Sequence, residues 1–116
     1  MKAYTDLEQS KKLAEILPHE SADMYYHNRI DIPDNFPLPI EWKRGLPLLS
    51  QEIPCWSLAA LLDILPDRTC VYKKTCKDGR VKYKGVVKGC KELILKDNPV
   101  DACYKMIIKL HEQKIL

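Results

Sequence analysis

The dipeptide Asp78-Gly79 limits what this chain can fold into more than any other feature. It stands between two strand-like runs, 69–77 and 80–88. Asp-Gly favours a type I′ hairpin turn, whose two central residues both take positive φ. With a two-residue loop, Cys76 faces Val81, Lys74 faces Tyr83, Tyr72 faces Gly85 and Cys70 faces Val87. That face is apolar apart from Lys74. The opposite face then carries Lys73, Thr75, Lys77, Arg80, Lys82, Lys84, Val86 and Lys88, with Lys91 close by. Side chains alternate with a period of two, so the turn assigns every residue to a side. A third strand over 90–96 follows Gly89, with Leu93 and Leu95 alternating.

The helices carry their own punctuation. Thr5 and Glu8 form a T-x-x-E capping box, in which each side chain satisfies a backbone N–H of the first turn. The helix over 6–17 stops at Pro18, with Leu7, Ser10, Leu13, Ala14 and Leu17 on its buried stripe. A second helix is expected from Pro54 or Cys55 to Leu65, since proline suits a first turn where its missing N–H is not needed. Leu58, Ala59, Leu61, Leu62, Ile64 and Leu65 leave only Ala60 and Asp63 for an exposed side. A helix apolar nearly all round is a central one. The last helix opens with Asn98 as N-cap, Pro99 at the first helical position and Asp101 near the positive end of the dipole. It runs to about Gln113, with Ala102, Cys103, Met106, Ile107 and Leu110 facing inward. Alternation over 22–27 reads as a short strand.

Residues 28–54 are the irregular part. Pro33, Pro37, Pro39, Pro47 and Pro54 break regular elements there. Ile30, Ile32, Phe36, Leu38, Ile40, Trp42, Leu46, Leu48 and Leu49 argue against disorder, so the segment is expected to dock side chains into surface grooves. A long connection with its own apolar residues is also where a partner is most often met. Phe36, Trp42, Leu46 and Leu48 are its candidate protein-interaction residues.

At 116 residues the chain fits one domain, 1–116. A domain of this size buries roughly 65% of the surface its unfolded chain exposes, enough for one core. A hydrophobic fraction of 46% and a charged fraction of 30% are those of an ordinary globular protein. The net charge of +3 is too small to demand a nucleic-acid partner. No signal-peptide core follows Lys2, and Leu58–Leu65 is far short of the ~20 apolar residues a membrane helix needs. The expectation is a cytoplasmic protein that uses no membrane. Its five cysteines, an odd number, are expected as thiols and include no pair spaced for a structural zinc site.

Four constellations could carry function. The first is the basic hairpin face, with Lys73, Lys77, Arg80, Lys82, Lys84 and Lys88 as candidate nucleic-acid contacts. Its ordinary explanation is a solvated strand face, where lysine also blocks edge-to-edge aggregation. Tyr72 and Tyr83, which could stack on bases, fall on the other side in the register above. The second is Cys55, set by Pro54-Cys55-Trp56 at a helix start, where a thiol is acidified. Cys-Trp there resembles papain-like and transglutaminase-like nucleophiles. Those folds bring in a histidine on a later strand, and 71–96 contains none, so no catalytic residue is assigned. Third, His19, Glu20, Asp23 and His27 are ligand types for zinc, without a spacing that fixes a site; no metal or other cofactor is expected. Fourth, Trp42 and Trp56, with Phe36 and its neighbouring prolines, could serve a peptide surface or seal a small core.

Three blocks carry a family likeness. They are Thr5-Asp6-Leu7-Glu8-Gln9-Ser10 through Leu17-Pro18 and Glu20-Ser21-Ala22-Asp23-Met24; Ile53-Pro54-Cys55-Trp56-Ser57-Leu58-Ala59-Ala60-Leu61-Leu62; and Asp97-Asn98-Pro99-Val100-Asp101-Ala102-Cys103. About half the chain resembles small uncharacterised bacterial proteins associated with prophages and mobile elements. The resemblance implies a genomic setting and no activity. The expected architecture is α+β: a three-stranded antiparallel meander packed against about three helices, in the order α-(β)-long loop-α-β-β-β-α. The expected function is a non-enzymatic accessory protein of a mobile element that binds another, unidentified protein. Nucleic-acid binding is the second reading and a Cys55 thiol enzyme the third; monomer and homodimer stay open.

Overall fold

The computed structural model describes residues 2–27, 36–87 and 94–116. Among them the chain is an α+β protein of three helices and two three-stranded antiparallel sheets. In order, the elements are α1 (Leu7–Ile16), β1 (Met24–Tyr26), β2 (Leu38–Pro39), β3 (Ile53–Cys55), α2 (Leu58–Ile64), β4 (Thr69–Thr75), β5 (Val81–Val87), β6 (Ile94–Lys96) and α3 (Pro99–Glu112). Short 3₁₀ turns cover His19–Ser21 and Ile40–Lys43.

The first sheet, ordered β2-β1-β3, is a departure from the single meander expected. Its strands are two or three residues long and two of them contain proline. Pro39 pairs with Met24 and Pro54 with Tyr25, each from an outside strand of the sheet. Proline is tolerated there because an edge strand needs its N–H on one side only. Sequence reasoning treated both prolines as breakers and so missed two strands.

Pro54 and Cys55 therefore do not open the second helix. Ser57 caps it, its hydroxyl accepting from Ala60 N, and Asp23 in turn accepts from Ser57 N and Oγ. Nor is α2 the central helix. Leu61 is its one fully buried residue, and Leu62 is 46% exposed beside Ala59 and Asp63. The centre belongs to α3, where Val100, Cys103, Met106, Ile107 and Leu110 pack with Leu13, Trp56, Leu61 and Leu65. Asn98 caps α3 and Pro99 occupies its first turn.

The cap of α1 is shifted by one residue from the expectation. Asp6 and Gln9 make the capping box, not Thr5 and Glu8. Thr5 is instead a fully buried junction between the N-terminal segment and the first sheet. Its Oγ1 accepts from Trp56 N at 3.1 Å and lies 2.7 Å from Ser10 Oγ, while its carbonyl accepts from Tyr26 Oη at 2.8 Å. Asp101 of α3 accepts from Lys2 Nζ and Gln9 Nε2, both at 2.8 Å, tying α1 to the helix behind it.

The second sheet, β4-β5-β6, lies over α3, and its register differs from the one the turn suggested. Thr75 pairs with Val81, Lys73 with Tyr83, Tyr72 with Lys84 and Val71 with Gly85. The loop has three residues, Lys77-Asp78-Gly79: Gly79 N donates to the Cys76 carbonyl and Cys76 N to the Arg80 carbonyl. Gly79 has φ of +85°, which is the left-handed position of a three-residue hairpin loop. The extra loop residue slips β4 by one against β5 and reverses the side of every β4 residue. Val71 and Gly85 now face α3. Gly85 is buried so closely that a β-carbon there would sit 2.2 Å from Met106 Sδ.

Candidate functional site

Two surfaces hold the candidate residues. The first is the stretch 36–49, mounted on the first sheet. Ile40 N donates to the Asp23 carbonyl, Leu46 N to the Lys43 carbonyl, and Arg44 and Gly45, with φ of 52° and 83°, turn the chain back. Lys43 fastens the 3₁₀ turn from below: its ammonium bonds Glu52 and lies 5.4 Å from the centre of the Tyr25 ring. Burial pushes the Glu52 carboxyl pKa up, but the bonds from Lys43 and from Leu49 N more than offset that and leave it lowered. A half-buried, paired carboxylate of this kind holds a surface segment in one geometry.

On this mount, large apolar side chains point into solvent. Trp42 is 61% exposed and Leu46 is 68% exposed, with Phe36 and Leu49 exposed as well. Leu48 is half-buried and joins Leu46, Ile40, Pro47, His19 and Glu20 around a cleft of about 260 Å³. A shallower depression of about 430 Å³ continues past Ile40 to Asp23, Met24, Pro39 and Glu41. Phe36, Trp42, Leu46 and Leu48 thus belong to one ordered stretch. Ile40 and Leu49 were read as docking side chains and not as candidate contacts, because nothing in the sequence tells a docked apolar residue from an exposed one, and Glu20 was read as a metal-ligand type.

The second surface is the outer side of β4-β5-β6. Paired residues share a face, so the register puts Tyr72, Lys74, Lys82 and Lys84 together there, with Cys70 and Val86. Leu95, opposite Lys84, extends the face onto β6 and is exposed. Lys84 Nζ lies 5.9 Å from the centre of the Tyr72 ring, and Lys82 bonds Asp97. Of the six basic residues singled out from the sequence, Lys82 and Lys84 are on this face. Lys77 and Arg80 flank the hairpin tip, and Lys88 lies outside the described residues. Lys73 is on the other side, opposite Tyr83. Lys74 and Tyr72 take the places that the two-residue loop would have denied them. The signal that could have found them is the loop itself, where Gly79 fits the third position of a three-residue turn as well as the second of a two-residue one.

The remaining constellations come apart. Cys55 is fully buried in a strand, not at a helix N-terminus. Burial raises its pKa, only partly opposed by hydrogen bonds with Thr5, Ser10 and Tyr26, so the thiol is held as the non-nucleophilic form. Cys103, buried in α3, is pushed up to about 11. His19 is exposed beside the Ala14 carbonyl, Asp23 is engaged by Ser57, and His27 is buried. Among the described residues no three His, Cys, Asp or Glu side chains come together as a metal site. Cys55, Cys70, Cys76 and Cys103 are free thiols, and no described helix is long and apolar enough to cross a membrane. Comparison with protein-family models, with curated proteins and with solved structures finds no match to this chain.

Proposed function

We propose that the protein is a non-enzymatic accessory protein that binds another protein through the 36–49 stretch. The observation that carries this is Trp42 and Leu46, both more than half exposed on a segment that Lys43, Glu52 and Tyr25 hold in place. Single exposed apolar residues are ordinary, but several on one pinned segment mark an interaction site. Tryptophan is also the side chain most enriched at binding hot spots. A rigid mount keeps the ordering cost of association low. The cleft beside Leu46 supplies a place for one or two apolar side chains of the partner, and the exposed Glu20 on that cleft and Glu41 on the neighbouring depression favour basic residues next to them. The mobile-element setting rests on the sequence resemblance.

The experiment is affinity capture from the native host with the unaltered protein and with a Trp42→Ser/Leu46→Ser double variant. A protein retained by the first and lost by the second is the expected result. If every captured protein is held equally by both, the 36–49 stretch is not the binding site.

A further inference from the structure

We propose that the outer face of β4-β5-β6 binds single-stranded nucleic acid, with a base stacked on Tyr72 and phosphates followed by Lys84, Lys74 and the tip residues Lys77 and Arg80. The first support is charge segregation. Residues 69–87 carry six basic side chains and one acidic one, five positive charges net, in a chain whose total is +3. The rest of the chain is therefore slightly acidic, and the positive charge is concentrated on one hairpin rather than spread for solubility. Charge gathered this way attracts a polyanion, and each neutralised phosphate releases counterions.

The second support is the register. Lysines alone would track any phosphate backbone, double or single. The one-residue slip brings Tyr72 onto the lysine face, 43% exposed and directly opposite Lys84. An aromatic ring on an open sheet, flanked by cations, is a stacking platform for an unpaired base, since every base has a π face. Leu95 beside Lys84 offers apolar contact to a neighbouring base or sugar. No described helix covers this side: α3 packs against the opposite one, through Gly85 and Val71. Bases inside a duplex cannot reach such a ring, so the face selects single strands.

The test is fluorescence anisotropy with a labelled single-stranded oligonucleotide of mixed sequence and with its duplex, at low and near-physiological salt. The expected result is tighter binding of the single strand, weakened by salt. Tyr72→Ala should weaken single-strand binding by roughly 5-fold or more, the scale of one base–aromatic stack, without changing the salt slope. Tyr72→Phe, which keeps the ring, should bind as the unaltered protein does. Lys74→Glu/Lys84→Glu should weaken binding and flatten the salt slope, with far-UV circular dichroism confirming that each variant is folded. Three results would overturn the proposal: no binding at low salt, equal binding of duplex and single strand, or indifference to Tyr72→Ala. The last two would leave unspecific attraction to polyanions.

Discussion

The two sheets are built from the same number of strands and do opposite things. The first has strands of two or three residues, yet Tyr25, Tyr26 and Cys55 within it are buried, and Trp56 and Thr5 beside it are completely so. The second is built on two seven-residue strands, β4 and β5, with the short β6 at its edge, yet one of its sides is open and most of β4 is exposed. Strand length therefore does not measure structural weight. The short sheet is held by what crosses it: Tyr26 to Thr5, Trp56 to Thr5 and Ser21, Asp23 to Ser57. The long one is held by its own ladder and by one side packed on α3, and its other side is free to meet a ligand.

The sharpest test of that contrast is Trp56→Ala. It removes the largest fully buried side chain and leaves Ser21 Oγ without the indole donor. A loss of about 3–5 kcal/mol is expected, measured by urea unfolding. A loss under about 1 kcal/mol would mean that the short sheet is not where stability resides.

Gly85→Val tests the packed side of the long sheet. Its β-carbon would overlap Met106 Sδ, and overpacking of this kind costs about 1–3 kcal/mol. Shortening the neighbour should relieve it: Gly85→Val/Met106→Ala should lose less than the two single changes added together. Simple additivity would show that Gly85 does not face α3. Next in size is Gly79→Ala, where the left-handed φ of +85° costs an alanine about 1 kcal/mol. A neutral effect would show that the three-residue loop does not form.

What the sequence made legible follows from how local each cause is. Asn98, Pro99 and Asp101 act within one turn, and the start of α3 is where they place it. The sides of β5 also follow from alternation alone. The slip of β4 does not, because Val71, Lys73 and Thr75 are no more apolar than Cys70, Tyr72 and Lys74, and the hydrophobic pattern is silent between the two registers. The first sheet was hidden for a different reason. Strands this short have no period to read, and the prolines in two of them act as breakers until a partner strand shows which side of the backbone is free. Thr5 misled in the same way: its cap-like spacing is real, but its hydroxyl is claimed by Trp56 and Ser10, contacts distant in sequence or fixed only by the fold. The platform residues were legible as a stretch and not as exposed side chains.

Acid should separate the regions further. The carboxyl groups of Asp6, Glu52 and Asp101 all sit below their ordinary values. For Asp101, burial pushes upward and the bonds from Lys2, Gln9 and Asn98 outweigh it. A carboxyl group whose folded pKa is depressed contributes stability above its unfolded pKa and loses it as pH falls through the folded one. Stability should therefore hold down to about the ordinary values of 4.5 for Glu52 and 3.8 for the aspartates, and decline below them. Glu52→Gln should flatten that decline, as read by unfolding at pH 5 and pH 3. An unchanged slope would show that the Lys43–Glu52 pair does not hold the 36–49 stretch.

The smallest expected effect is also the one that most directly separates a surface kept for binding from one kept for folding. Tyr72→Ala and Trp42→Ser each remove an aromatic ring, as Trp56→Ala does, but from side chains that are 43% and 61% exposed. Exposed substitutions away from caps, buried pairs and strained backbone usually change stability by less than about 0.5 kcal/mol. Trp42 should stay within that range and Tyr72 within about 1 kcal/mol, since its ring also meets Lys84. Removing Tyr72 frees Lys84 from its ring contact, and a cation–π pair in solvent contributes only about 0.5–1 kcal/mol. A protein gains little by presenting a tryptophan and a tyrosine to water, and large exposed rings carry a cost in solubility. If both substitutions leave unfolding unchanged while urea still separates Trp56→Ala from the unaltered protein, neither ring is explained by the fold. A loss above about 2 kcal/mol from either would place that ring in a core and remove the surface it is taken to define.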